Sequence, residues 1–271
     1  MARIRNPRPS AAPPGGASRA VPVVRIERGR PGRPLPEPPE PATIPAMWVK
    51  RAAAVFLLPL CWIATVALFQ VFRAAESQDI WHSPEVWLFS AGFLFWVVVF
   101  FLFPRPVGYY VIGHEWTHWL FIRFHGGRIG RVVTTRQGGY VLTDKTNFLI
   151  TLAPYFVPFW TLVSLVILAV AGLLLDIPWF ERLLFLVTGV TWAFHLTFTL
   201  SMIGKGQPDI EENGRFFSLT FIYLANLLII TAMLLVASPR VKVAAYWGAV
   251  GDESARLARS AAAMVVWHDG K

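Results

Sequence analysis

The stretch AAAVFLLPLCWIATVALFQVF, residues 52–72, decides the class of fold, because it continues for 21 residues without a single charge. A helix of about 20 residues spans the roughly 30 Å hydrocarbon core of a bilayer. The composition of the whole chain agrees, since 55% of its residues are hydrophobic and only 15% are charged, whereas soluble domains carry about 25% charged residues. The sequence therefore predicts a membrane protein.

Further apolar stretches follow along the chain, and with the first they predict an all-α polytopic membrane protein. The six predicted transmembrane spans are 52–72, 86–103, 106–124, 148–173, 183–203 and 217–238. They make up a predicted membrane core over residues 47–238. Residues 239–271 are expected to form a C-terminal tail, either loose or folded into a short amphipathic helix on the membrane surface.

Residues 1–46 have a different composition from the rest of the chain, with eight arginines, three glutamates and twelve prolines. This composition predicts a disordered tail. Its arginines, with Lys50 and Arg51, favour a cytoplasmic N-terminus, and attraction to anionic lipid headgroups accounts for their charge. No motif supports binding to nucleic acid, so the formal charge of +9 is not interpreted as a sign of that partner.

The segment 123–146 is unusual, because it is rich in basic residues and yet simple alternation of the spans places it outside the cell. Its pattern RVVTTRQGGYVLT, residues 131–143, predicts a β-hairpin that turns near Gly138 and Gly139. Such backbone is tolerated at membrane depth only where protein or a wet cavity surrounds it. We therefore expect a small re-entrant hairpin, and the side of the membrane on which it lies stays open.

The third predicted span contains the motif HEWTH, residues 114–118. Ionisable side chains are costly in a membrane and mark functional sites there. His114 and His118 lie one turn apart on the same helix face, so both imidazoles can ligate one zinc ion, while Glu115 beside them can act as general base. Haem ligation and a proton relay are the alternatives, but haem takes its axial ligands from opposite sides of the ring.

A catalytic zinc ion takes three protein ligands and keeps a further position open. The stretch GKGQPDIEENG, residues 204–214, follows the fifth span, and its proline and glycines allow the chain to fold back towards the bundle. Asp209 in this stretch is the predicted third ligand. Glu211 and Glu212 compete for the role, although they are better placed to cap the next helix or to face solvent.

Four more polar residues in the apolar part of the chain could serve a catalytic site. His195, in the fifth predicted span, lies too far along a continuous helix from Asp209 to share its ion, and we expect it to hydrogen-bond a neighbouring helix. Asn147, Asn213 and Asn226 are each candidates for stabilising an oxyanion, and the sequence does not choose among them.

The hydrophobic GHExxH helix, the glycine-rich insertion with GGY and the later QPD together resemble the site-2-protease class of intramembrane metalloproteases. The M50B-like branch of the M50 peptidase family is the most similar group, and the resemblance covers about residues 105–238. It implies a site-2-protease-like core with one catalytic Zn2+ held by His114, His118 and Asp209, and Glu115 as the base. The chain departs from the better-studied members at Ile210, where they carry a glycine.

The expected function is hydrolysis of a peptide bond of a membrane-anchored protein by zinc-activated water, in a bacterial inner membrane. Gly138, Gly139 and Tyr140 are expected to offer a strand edge to the unwound substrate, or else to form a basic surface loop. Two other functions remain open: a catalytically silent relative that binds partners, and a membrane protein that binds or transports metal without hydrolysis.

Overall fold

The computed structural model describes residues 44–76, 82–135, 138–237 and 242–269. The predicted N-terminal tail, residues 1–46, therefore lies outside the described residues except for its last three positions. The chain is mostly helical and contains a small antiparallel sheet, as predicted. The helices are α1 (Ile44–Glu76), α2 (Pro84–Leu102), α3 (Val107–Phe124), α4 (Phe148–Leu152), α5 (Phe159–Leu174), α6 (Phe180–Ile203), α7 (Pro208–Glu212), α8 (Arg215–Ala237) and α9 (Val243–Asp269).

Helices long and apolar enough to cross a membrane confirm a multi-pass membrane protein. The four that qualify singly are Ala46–Ala74, Pro84–Leu102, Phe180–Ile203 and Arg215–Leu235, and the bent pair Phe148–Tyr155 and Phe159–Leu174 brings the number to five if it counts as one span. The predicted span 106–124 does form α3, but α3 is not among these helices. The charged and imidazole side chains of the HEWTH motif and Arg123 make it too polar for its short length.

The predicted span 148–173 is not a continuous helix. Residues Phe148–Tyr155 and Phe159–Leu174 meet at an angle of 73°, and a short 3-10 turn, Ala153–Tyr155, closes the first part. Pro154 and Pro158 explain the break, because proline has no backbone N–H and its ring clashes with the preceding helical turn. The break brings the end of α4 beside the middle of α3.

Helices α2 and α6 pack closely side by side and run in the same direction. Phe89 lies beside Gly189, and further along both helices Phe100 packs edge-on against Phe198. A side chain on Gly92 would collide with a backbone carbonyl of α6, and one on Gly189 with a backbone carbonyl of α2. Small residues allow such approach between helices in a membrane, and this contact fixes α6 within the bundle.

The C-terminal segment is a long helix packed on the bundle, and not a loose tail or a short surface helix. The contact of α9 with α1 consists of Ala67, Val71, Tyr246 and Ala249. Closer to the middle of α1, Trp62 Nε1 donates a hydrogen bond of 2.8 Å to the buried carboxylate of Glu253. Helix α9 therefore packs on the bundle through Tyr246, Ala249 and Glu253.

The predicted hairpin is present as strands β1 (Ile129–Thr135) and β2 (Gly138–Thr143). Val133 pairs with Tyr140 and Thr134 with Gly139, in antiparallel register. The glycine pair thus opens β2 and does not form the turn itself. Val141 packs with Ile122 of α3 and Ile150 of α4, which holds the hairpin against the helix that carries HEWTH.

Candidate metal centre

Helix α3 brings the two histidines of HEWTH together as the i, i+4 spacing predicts. The Nε2 atoms of His114 and His118 are 3.2 Å apart, and the two ring planes are nearly perpendicular. Both rings are largely buried, with 11% and 13% of their side-chain surface exposed. Two ligand atoms therefore converge on one point inside the bundle.

Asp209 completes the group from the segment that follows α6. Its Oδ2 atom lies 3.3 Å from Nε2 of His114 and 3.5 Å from Nε2 of His118. Asp209 belongs to the short helix α7, which starts at Pro208 after the chain has turned at the end of α6. The three residues form a group that could hold a metal ion.

The remaining ring nitrogens are held by partners that orient both imidazoles. Nδ1 of His118 donates to the carbonyl oxygen of Ile150 at 2.8 Å, and Nδ1 of His114 lies 3.2 Å from the hydroxyl oxygen of Tyr110. With the protons on Nδ1, both Nε2 atoms present a lone pair to the same point. Partners of this kind fix the tautomer and the orientation of metal-ligating histidines.

Tyr155 and Asn213 position Asp209. The hydroxyl of the fully buried Tyr155 donates to Oδ2 of Asp209 at 3.1 Å. The amide of Asn213 donates to the backbone oxygen of Asp209 at 3.2 Å and to Oγ1 of Thr151 at 2.7 Å. Thr151 directly follows Ile150, whose carbonyl orients His118. Asn213 therefore links the backbone that orients His118 to the backbone of Asp209.

Lys50 links the same network to the first helix. Its Nζ atom donates to Oδ1 of Asn213 at 2.8 Å, and Asn213 is only 3% exposed. Around this contact, Ala54 of α1, Tyr155 and Ile210 belong to one buried apolar cluster. The metal centre therefore lies near the end of the bundle at which α1 and α8 begin and α6 ends.

Glu115 lies beside the metal-binding group but is not a member of it. The residue is 5% exposed, and β2 covers it: a Cβ atom on Gly139 would come within 2.6 Å of Glu115 Cγ and 2.8 Å of its Oε1. Of the three proposed hairpin residues, Gly139 therefore contacts the predicted base directly. Gly138 and Tyr140 are its strand neighbours, both half-buried.

The competing acids and asparagines are also placed by the structure. Glu211 and Glu212 are exposed and outside the metal-binding group. Asn147 caps α4 by accepting from the backbone N–H of Ile150, and the amide of Asn226 donates to the backbone oxygens of Tyr155 and Ile222. These contacts give Asn147, Asn213 and Asn226 roles in holding the backbone around the site.

Several residues that support the centre were not predicted from the sequence. Tyr110 could have been found, because it stands four residues before His114 on the same helix face. Tyr155, Asn213 and Lys50 carry no such signal, since their roles depend on how distant parts of the chain pack. His195 is buried as expected, and its ring interacts with the side chain of Asn226 on the neighbouring helix α8.

Comparison with known proteins does not assign this chain to a family. No family model, curated protein or solved structure matches the chain. Any function proposed for the protein therefore depends on the group formed by His114, His118 and Asp209, on Glu115 beside it, and on the apolar helices around them.

Proposed function

We propose that the protein is an intramembrane zinc metallopeptidase that hydrolyses a peptide bond of a membrane-anchored protein. The observation that supports this best is the convergence of His114, His118 and Asp209 within a bundle of apolar helices, with the buried Glu115 next to them in sequence. Placing an acid in such a bundle costs free energy, so an acid found there indicates a function. Acting as general base beside a metal site is such a function.

The size and chemistry of the ligand group support zinc as the ion. The three ligand atoms form a triangle with sides of 3.2, 3.3 and 3.5 Å. Tetrahedral zinc with bonds of about 2.0–2.1 Å has neighbouring ligand atoms about 3.3 Å apart. Two imidazoles and one carboxylate leave a fourth position for water or substrate, as in catalytic zinc sites.

The residues of the chain then have distinct tasks in hydrolysis. A zinc ion held by His114, His118 and Asp209 would lower the pKa of a bound water to about 7 and polarise a carbonyl group. Glu115 accepts the proton of the attacking water on its carboxylate and delivers it to the nitrogen of the leaving amine. Tyr110, Tyr155 and the Ile150 carbonyl keep the ligand side chains oriented throughout, and β2 shields Glu115.

A membrane-anchored substrate fits the surroundings of the centre. A transmembrane substrate helix must unwind to expose a peptide bond, and an extended segment can then pair with a strand edge. The hairpin packs on α3 next to Glu115 and provides such an edge. The HExxH helix, the hairpin and the later Pro-Asp are also the features that resemble the site-2-protease class of the M50 family, and from this resemblance we propose a bacterial inner membrane as the location of the protein.

The test is to purify the full chain in detergent and to measure bound zinc and cleavage of a transmembrane reporter. His114→Ala and Asp209→Ala should each lose the ion. Glu115→Gln should keep zinc and lose about 10²- to 10⁴-fold in cleavage rate, the usual contribution of general base catalysis. Equal zinc in wild type and both ligand variants refutes the metal site, and unimpaired cleavage by Glu115→Gln refutes the base.

A further inference from the structure

Helix α9 carries charged side chains at half the height of the first transmembrane helix. Trp62 lies near the middle of the apolar span Ala46–Ala74, and its Nε1 atom donates to the carboxylate of Glu253. Ala249, earlier in α9, belongs to one buried cluster with Ala67, later in α1, so the two helices run antiparallel. Glu253 and the residues next to it therefore lie at the depth of the membrane interior.

One face of α9 is turned away from the bundle. Its members recur at i, i+3, i+4, i+7 and i+11, the spacing of a single helix face. They are all exposed, and we call them the α9 face: Gly248, Gly251, Asp252, Ala255 and Arg259. Tyr246, Ala249 and Glu253, which contact the bundle, are buried on the other side of the helix.

The two charges of the α9 face are opposite in sign and are not used within the chain. In the part of the chain that the structure describes, neither Asp252 nor Arg259 forms a hydrogen bond or an ion pair, whereas Arg256 pairs with the buried Glu253. Charged side chains at membrane depth are costly, and those found there pair with one another or face protein or water. Lipid chains satisfy neither charge, so the α9 face indicates a protein partner.

The glycines of the α9 face point the same way. A Cβ atom at Gly248 or Gly251 would meet no neighbouring group of the described chain within 4 Å. Glycine inside a helix is destabilising relative to alanine, and packing within the chain does not account for these two. At Gly92 and Gly189, in contrast, the missing side chain is what lets α2 and α6 come close. Small residues permit the same approach between helices of different chains.

We propose that the α9 face binds the same face of a second copy of this chain, which gives a two-fold dimer within the membrane. Both copies have the same orientation in the membrane, so the two-fold axis runs along the membrane normal and the α9 helices are parallel. Helical side chains lean towards the N-terminus, so Arg259 of each copy reaches back towards Asp252 of the other. One negative and one positive charge make the face complementary to itself.

The test uses charge reversals in the full chain, reconstituted in lipid vesicles and followed by energy transfer between two labels. We expect Asp252→Arg alone and Arg259→Asp alone each to weaken the dimer Kd at least about tenfold, because like charges then face each other. An equal mixture of the two variants should regain dimerisation, since every contact across the interface then joins opposite charges. The control Lys242→Asp reverses an exposed charge outside the α9 face and should leave the Kd unchanged.

A second measurement needs no change of charge. With Cys61, the only cysteine, replaced by alanine, Ala255→Cys places a single thiol in the middle of the α9 face. In a parallel two-fold pair this position faces its own copy, so oxidation with copper phenanthroline should give a disulfide-linked dimer. Ala261→Cys is the control, because residue 261 is also exposed but lies roughly 120° around the helix from residue 255. It should remain monomeric.

Wild type without energy transfer at the highest protein-to-lipid ratio overturns the inference, in favour of a different transmembrane partner. Failure of the mixed variants to regain energy transfer also overturns it, provided that each melts near wild type in detergent. Where a reversal variant does not fold, the cysteine pair decides: equal cross-linking of Ala255→Cys and Ala261→Cys, or none in either, refutes the α9 face as the dimer interface.

Discussion

Gly139 of β2 lies directly against Glu115 of α3, with no room between them for a methyl group. A Cβ atom at Gly139 would come within 2.6 Å of Glu115 Cγ and equally close to the backbone oxygen of Val133. We therefore expect Gly139→Ala to displace the Glu115 carboxylate and the strand, at a cost of about 1–3 kcal/mol in stability. Zinc content should stay near that of wild type while reporter cleavage falls at least tenfold.

Gly130→Ala in β1 is the matched control for this substitution. Its new methyl group would meet Cβ of Leu142 at 3.3 Å, which a shift of a few tenths of an ångström relieves, and Glu115 is not among its neighbours. Zinc content and cleavage should both remain close to wild type. Full activity in Gly139→Ala would show that the hairpin does not position the base.

Asn213 is the junction of the network that supports the metal centre, and Asn213→Ala should weaken zinc binding. The change removes the bonds to Asp209 and Thr151 and leaves Lys50 without its acceptor. Loss of an outer partner typically costs 10- to 100-fold in metal affinity, and we expect a loss of about that size. Competition with a chromogenic chelator measures it.

The control for Asn213→Ala is Thr188→Val, which removes a hydroxyl that bonds only within α6, to the backbone oxygen of Leu184. Lys50→Met should have a smaller effect than Asn213→Ala, since it breaks only the outermost bond. Zinc affinity in Asn213→Ala equal to that of Thr188→Val would contradict the role of the junction.

The close contact of α2 and α6 predicts a strong effect of a large residue at Gly92. Gly92→Leu places its side chain against the backbone of α6 near Leu186, and backbone cannot rotate away as a side chain can. We expect a loss of at least about 1–3 kcal/mol, seen as a lower Tm in detergent. Gly108→Leu, where a Cβ meets open space, should melt near wild type; equal melting of both variants would refute the contact.

Asp144, at the end of the hairpin, gives a dependence of stability on pH. Hydrogen bonds from the side chain and backbone N–H of Arg128 lower the pKa of its carboxyl. The ion pair therefore stabilises the fold above the unfolded pKa of about 3.9, and this contribution disappears as the pH falls through the lowered folded value. This contribution to stability is small, because 65% of the Arg128 side chain is exposed and solvent screens the pair.

We expect metal-free wild type to unfold at a slightly higher temperature than metal-free Asp144→Asn at pH 6, and the difference to shrink as the pH is lowered through the folded pKa of Asp144. Excess chelator in both samples removes the separate effect of acid on metal binding. A difference that grows as the pH is lowered would contradict this assignment.

The parts of the site that follow from local spacing could be predicted from the sequence. His114 and His118 converge because one turn of a helix separates them, and this holds whatever surrounds the helix. Asp209 was found because few acids lie next to an apolar span and a proline marks where the chain can turn. The hairpin followed from alternating residues and a glycine pair.

The parts that depend on packing between distant segments could not be predicted. Nothing in the sequence near Tyr155 or Asn213 indicates Asp209 as a partner. The apolar run 148–173 concealed a bend of 73°, because hydropathy does not register the missing N–H groups of two prolines. The polar character of α9 concealed its packing on α1, where Tyr246, Ala249 and the carboxylate of Glu253 make the contact.

The break after α4 has a consequence for the metal centre. In an uninterrupted α-helix the carbonyl of Ile150 would accept the N–H of residue 154, but residue 154 is proline and has no N–H to give. That carbonyl is instead 2.8 Å from Nδ1 of His118. A residue other than proline at 154 would bring a backbone N–H that competes for the Ile150 carbonyl. Pro154 therefore both ends α4 and leaves this oxygen available to orient the ring of His118.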